Sequence, residues 1–193
     1  MNSKIDLYRN NISFCLSVLT AISLYQGYYH NNFHIADITT NILFVYCLCD
    51  IFLVKNVDYI IHHIFALLII IVSRKNDVSF EEYQHIMYII LGTEITNFFF
   101  VFTFWFKNKN FIIYYLSGIS FAISFFIIRI YIYFKYLIFN FETYKIINNY
   151  IDNVSDLICI YVGLFGLAFL NIYWAIKILR IIFFRKKIGN KNN

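Results

Sequence analysis

Apolar and polar residues follow one another along this chain in long blocks rather than in alternation. The apolar runs are Ile12 to about Tyr29, Ile38–Val54, Tyr59–Val72, Ile86–Phe106, Phe111–Phe139 and Leu157–Phe184. A helix that crosses a bilayer needs about 20 residues, within a range of roughly 17–25. The third run is short unless Asp58 and Ser73 are drawn into it, and the last two are long enough to tilt or to reach the headgroups. None shows the two-residue period of a strand, and a closed barrel would need many shorter alternating segments. The pattern predicts an all-α integral membrane bundle of about six transmembrane helices. The first run follows a basic start, as in a signal peptide. It is long for that role, has no A-x-A-like site after it, and is followed by further spans, so it reads as an uncleaved helix.

Composition agrees. Of 193 residues, 61% are hydrophobic and 14% charged, where a soluble domain would be near half apolar and about a quarter charged. The length suits one bundle and no second domain: a short N-terminal segment over 1–10, the transmembrane domain over 11–186, and a polar tail over 187–193. The net charge of +5 is no nucleic-acid signal, because the basic residues lie mostly between and after the apolar runs. They report topology. With the N-terminus in the cytosol, nine basic residues (Lys4, Arg9, Lys55, Lys107, Lys109, Arg185, Lys186, Lys187, Lys191) fall inside and three (Arg74, Lys75, Lys145) outside. This asymmetry predicts that both termini are cytosolic and that the helix count is even.

The longest outer loops are Arg74–Gln84 and Asn140–Asp156, the second holding the sequon Asn153-Val154-Ser155. The 23 phenylalanines, 17 tyrosines and absence of proline fit an AT-rich coding bias and carry little functional weight. Cys15, Cys47, Cys49 and Cys159 all lie in or beside apolar runs and read as small buried hydrophobes.

The stretch Val45–Ser73 holds the densest candidate chemistry. Asp50 sits near the end of the second run, a break follows at Lys55–Asp58, and His62 and His63 open the third run. Ionisable groups in a membrane interior cost roughly 2.5–3.5 kcal/mol each on insertion scales and mark functional or packing sites. On a hairpin of two helices all three residues fall at similar depth, at about 1.5 Å per residue. Asp58 and His62 are spaced four apart, so Asp58 is expected to orient the His62 ring. Adjacent helical residues diverge by about 100°, so one histidine is expected to face a cavity and the other a neighbouring helix. A carboxylate–histidine pair suits general acid–base chemistry, which makes His62, His63 and Asp50 the candidate catalytic residues. A hydrogen-bonded polar cluster locking two helices together accounts for the same residues.

Further intramembrane polar residues follow. Glu94, with Asn97 one turn on, lies in the fourth run and Arg129 in the fifth, which invites a buried ion pair between neighbouring helices. The sixth run carries Gly163, Gly166 and Ala168, small residues that mark close helix contact, and then Asn171 and Trp174. With Asp58, these form a set of binding or structural polar positions. No metal site is expected, since His30, His34 and His85 lie in loops or at span ends and only His62-His63 is intramembrane. No cofactor is implied.

Asp50, His62-His63, Glu94-Ile95-Thr96, Arg129 and Asn171-Ile172-Tyr173-Trp174-Ala175-Ile176-Lys177 occur in the order found in TLC-domain proteins. That family includes the translocating-chain-associating membrane proteins and the ceramide synthases. The chain resembles most the small proteins that are little more than the domain, over roughly Ile12 to Lys186. The resemblance implies a multi-pass protein of endoplasmic-reticulum type acting in membrane lipid homeostasis, by sensing, transport or synthesis. Its partner would be a membrane lipid, a sphingolipid or fatty acyl-CoA among the candidates. His62 and His63 match the double histidine of the ceramide synthase acyltransfer centre, so an acyl-CoA-dependent N-acyltransferase is the alternative. The His-Asp that those enzymes carry in the next helix is absent, where Ile89-Ile90-Leu91-Gly92-Thr93-Glu94 stands here. A membrane-protein chaperone or trafficking receptor is a second alternative, disfavoured by the short loops. The residues leave open whether the protein is an enzyme.

Overall fold

The computed structural model describes residues 3–30, 34–75 and 80–184. Their regular elements are helices: α1 (Ser3–His30), α2 (His34–Leu53), α3 (Val57–Lys75), α4 (Phe80–Phe106), α5 (Phe111–Ile138), α6 (Phe141–Tyr150) and α7 (Val154–Phe184). The polar tail, with Arg185 to Lys191, and residues 76–79 of the loop between α3 and α4 lie outside the described residues.

The six long helices form a closed ring. α2 packs between α1 and α3, α3 against α7, α7 against the later part of α5, α5 against α4, and α4 against α1. Five of the long helices are apolar enough over a sufficient length to cross a membrane. α1 is outside that set because its length is shared with a stripe of hydroxyls, of which Ser17, Thr20 and Ser23 are buried against the bundle. Ser17 Oγ lies 2.8 Å from the Glu94 carbonyl and Ser23 Oγ 2.7 Å from Thr39 Oγ1, so these polar groups join helices. α3 does take in Asp58 and Ser73, which gives it 19 residues.

The half of the ring away from the N-terminus is packed solid. Ile69, Val72, Ile86, Met87, Tyr133, Leu137, Ile160 and Leu164 form one buried cluster, closed by Ile147 and Ile151. Those last residues belong to, or directly follow, α6, an extra helix in what reads from sequence as a loop. Its few apolar residues hid it, yet Thr143, Ile147 and Ile151 recur every four residues and all are buried. Asn140 caps it by accepting from the Glu142 N–H at 3.1 Å.

The small residues of α7 do mark close contact. A Cβ on Gly163 would lie 2.6 Å from Ile69 Cγ1 and 3.0 Å from the Phe65 carbonyl oxygen, and one on Gly166 would lie 2.5 Å from the Phe65 ring. The cysteines fit their reading less well: Cys47 is buried, but Cys15 and Cys49 are exposed on outward faces.

α5 changes character midway. It is α-helical to Ser124, then has wide π turns over Phe125–Ile132 and Phe134–Ile138. Its buried residues there, Phe125, Arg129, Tyr133 and Leu137, recur strictly every four positions. Four α-helical residues overshoot a turn by about 40°, so the wider turns keep all four on one line. Arg129 is thereby held towards the ring interior at 3% exposure.

Candidate functional site

Where the apolar packing ends, the ring encloses a cavity of about 370 Å³ at the end of the bundle that holds the start of α1 and the end of α7. Every long helix contributes to it: Arg9 from α1, Tyr46 from α2, His62 and His63 from α3, Glu94 from α4, Arg129 from α5 and Trp174 from α7. The cavity has two kinds of wall. α1, α2 and α3 present mostly polar and ionisable groups, joined by Glu94 and Asn97 of α4, Arg129 of α5 and Lys177 of α7, whereas Phe100 and Phe104 of α4, Phe121 and Phe125 of α5, and Ile178 and Ile181 of α7 present hydrocarbon.

Asp50, 1% exposed, does not itself line the cavity but sits behind the polar wall and ties it together. Arg9 grips it in fork geometry, Nε donating to Oδ1 at 2.6 Å and Nη2 to Oδ2 at 3.1 Å. His63 Nε2 lies 2.8 Å from the same Oδ2. An ionised carboxylate only accepts, so this contact puts a proton on His63 Nε2, and among the described residues the buried Nδ1 has no hydrogen-bond partner. Tyr46 packs edge-on to the His63 ring at 5.5 Å. A buried charge demands such partners, and three helices are tied together by meeting that demand.

Glu94 is the second centre. Its Oε2 accepts from Asn97 Nδ2 at 2.7 Å. Its Oε1 lies 3.8 Å from His62 Nε2 and 3.9 Å from Arg129 Nη2, beyond hydrogen-bonding reach of both. Arg129 Nε donates to Thr96 Oγ1 at 2.9 Å, with Nη2 3.5 Å from Asn97 Oδ1. The Trp174 ring lies 5.5 Å from the Arg129 guanidinium and 5.3 Å from the His62 ring, which anchors both. The expected Glu94–Arg129 pairing is thus present as a near approach. Because each charge is buried, removing one alone leaves the other uncompensated. The Glu94→Gln, Arg129→Gln double variant should therefore be more abundant and melt higher than either single variant; a double variant that melts below both would refute the pairing.

Other sequence expectations are redrawn. Asp58 does not orient His62: its carboxylate accepts from Lys177 Nζ at 2.5 Å, because the first turn of α3 faces the end of α7. His62 and His63 both line the cavity, and their Nε2 atoms diverge to Glu94 on α4 and Asp50 on α2. Asn171 is buried in α7 but is not a cavity-lining residue. Arg9, Tyr46, Tyr59 and Lys177 line the cavity, and the sequence reading gave none of them a site role, taking Arg9 as a topology charge and Lys177 as the end of a family segment. The spacing of Arg9, Ser13, Ser17 and Thr20 on one face of α1 was the available signal. Among the described residues no three His, Cys, Asp or Glu side chains stand together as a metal site.

Residues 12–180 match the sequence family described as the TLC domain. No curated protein and no solved structure matches the chain.

Proposed function

The chain belongs to the TLC domain family of multi-pass membrane proteins, and from that premise we propose that it admits a membrane lipid into the ring and acts in membrane lipid homeostasis. The observation that carries this reading is the two-walled cavity reaching both histidines. Its volume falls in the range of small-molecule sites, roughly 300–1,000 Å³. A hydrocarbon wall facing an ionisable wall suits an amphipathic occupant, whose chain lies against the aromatics and whose head meets the histidines. A chaperone or receptor would use an exposed loop surface, and the connections at 54–56, 107–110 and 151–153 are short.

Lipidomics of cells expressing the chain tests the proposal. Wild type should shift the lipid profile relative to empty vector, and the His62→Ala, His63→Ala double variant should return it to the vector profile at equal protein abundance. If variant and wild type give the same shift, the histidines are structural and the site is misplaced.

One feature favours a catalytic version of this reading, the N-acyltransferase alternative. In the Asp50–His63 pair the carboxylate holds one ring nitrogen and leaves the other to accept a proton from an attacking group. The same variants assayed in membranes with a labelled acyl-CoA separate the versions, since a catalyst loses product formation with His63→Ala and a sensor forms none.

We place both termini in the cytosol of an endoplasmic-reticulum-type membrane, supported by the lysine and arginine asymmetry. An epitope fused to the C-terminus should be reached by antibody after selective plasma-membrane permeabilisation. Exposure only after full permeabilisation overturns the orientation.

A further inference from the structure

We propose that the head of the occupant is a neutral hydroxyl group, received in the gap between Glu94, His62 and Arg129. This rests on the lipid-binding reading above and specifies which lipid chemistry that site accepts.

Two donor groups approach one carboxylate oxygen without touching it. Glu94 Oε1 is 3.8 Å from His62 Nε2 and 3.9 Å from Arg129 Nη2, each too far for a direct hydrogen bond and close enough for one bridging atom. An oxygen about 2.8 Å from two atoms so separated would subtend roughly a right angle, within the range a hydroxyl serves as donor and acceptor. The gap is held open by anchors on the far side of each group. Asn97 fixes the other Glu94 oxygen at 2.7 Å, Thr96 fixes Arg129 Nε at 2.9 Å, and Trp174 packs on both His62 and Arg129. All three converging residues are buried, yet each lines the cavity.

The chemistry of the gap selects the head group. Glu94 Oε1 wants a donor, and Arg129 Nη2, which reaches Asn97 Oδ1 at 3.5 Å with one proton, has a second to give. A hydroxyl serves both, giving its proton to Glu94 and taking a hydrogen bond from Arg129. A carboxylate has no proton to give and would stand against the Glu94 charge. An ammonium has no lone pair to offer and would stand against Arg129. Charge balance agrees, because the Glu94 carboxylate and the Arg129 guanidinium offset one another and leave no unpaired charge between them for an ionic head to neutralise. Phe121 and Phe125 on α5 and Ile178 on α7 continue the cavity as hydrocarbon, where the chain of the same molecule is received.

The test uses the full-length protein in detergent and Trp174 as reporter. The chain has two tryptophans, so Trp105→Phe provides the background; Trp105 packs on Phe14 and Phe102 and does not line the cavity. Titrations with 1-hexadecanol, palmitate, hexadecylamine and hexadecane should show the alcohol binding at least ten-fold tighter than the other three. In Glu94→Gln the charge opposing a carboxylate is gone, and palmitate should overtake the alcohol. The ranking of the four probes needs no change at the site, so it stands even where Glu94→Gln fails to fold. Palmitate or hexadecylamine equalling the alcohol overturns the hydroxyl assignment. Equal binding of all four, hexadecane included, overturns it while leaving the lipid cavity in place. No binding by any probe overturns both.

Discussion

Replacing Asp50 with leucine is expected to lower stability by about 3–5 kcal/mol, the typical result of removing one partner from a buried ionic group. The carboxylate is 1% exposed and accepts from Arg9 twice and from His63 once. Its loss leaves the Arg9 guanidinium with only Asp6, 3.6 Å away on its own helix, and leaves the His63 Nε2 proton without the acceptor that tied α1, α2 and α3 together. Asp50→Asn should be milder, since one oxygen still accepts. The Arg9→Met, Asp50→Leu double variant should recover part of the loss, because the orphaned charge goes with it. Thermal unfolding in detergent reads all three. A double variant less stable than Asp50→Leu would show that Arg9 and Asp50 do not act as a unit.

The second large effect is steric. Gly163→Ala places a methyl 3.0 Å from the Phe65 carbonyl oxygen and 2.6 Å from Ile69 Cγ1, and the backbone oxygen has nowhere to move. Overpacking of this kind costs about 1–3 kcal/mol. Gly166→Ala instead meets the Phe65 ring at 2.5 Å. The added substitution Phe65→Ala should therefore rescue Gly166→Ala and leave Gly163→Ala unrescued. Equal rescue of both would mean that the carbonyl is not the obstacle. Because α3 carries the histidines and α7 carries Trp174, spreading this contact also parts His62 from Trp174, which Trp174 fluorescence reports.

The helical membrane bundle was legible because runs of twenty apolar residues have few other structures open to them. The hairpin carrying Asp50 and His63 was legible for a related reason: a short turn between two helices fixes depth, and depth alone brought the two residues together. Partners from distant helices were not. Arg9 counts as a topology charge in a linear reading, and only the ring closure of α1 on α4 and α2 turns it inward. Asp58 sits four residues before His62, yet that spacing lost to Lys177, 119 residues away in sequence. Helical spacing names the residues that can meet on one helix. It says nothing about which neighbour offers the better charge. α6 was hidden because a ten-residue amphipathic helix has too few apolar residues to stand out beside membrane spans.

The four-residue rhythm of α5 links the cavity to the solid half of the ring. Phe125 and Arg129 belong to the site end, Tyr133 and Leu137 to the core, and wide turns keep them in register. Tightening a wide turn back to ordinary α geometry swings whatever precedes it relative to whatever follows. Tyr133 is pinned by donating its hydroxyl proton to the Leu164 carbonyl at 2.9 Å, and Arg129 by donating from Nε to Thr96 Oγ1 at 2.9 Å. The wide turns between them are thus a spacer clamped at both ends, and the bearing of Arg129 on Glu94 is set by the winding of its own helix together with its grip on α4.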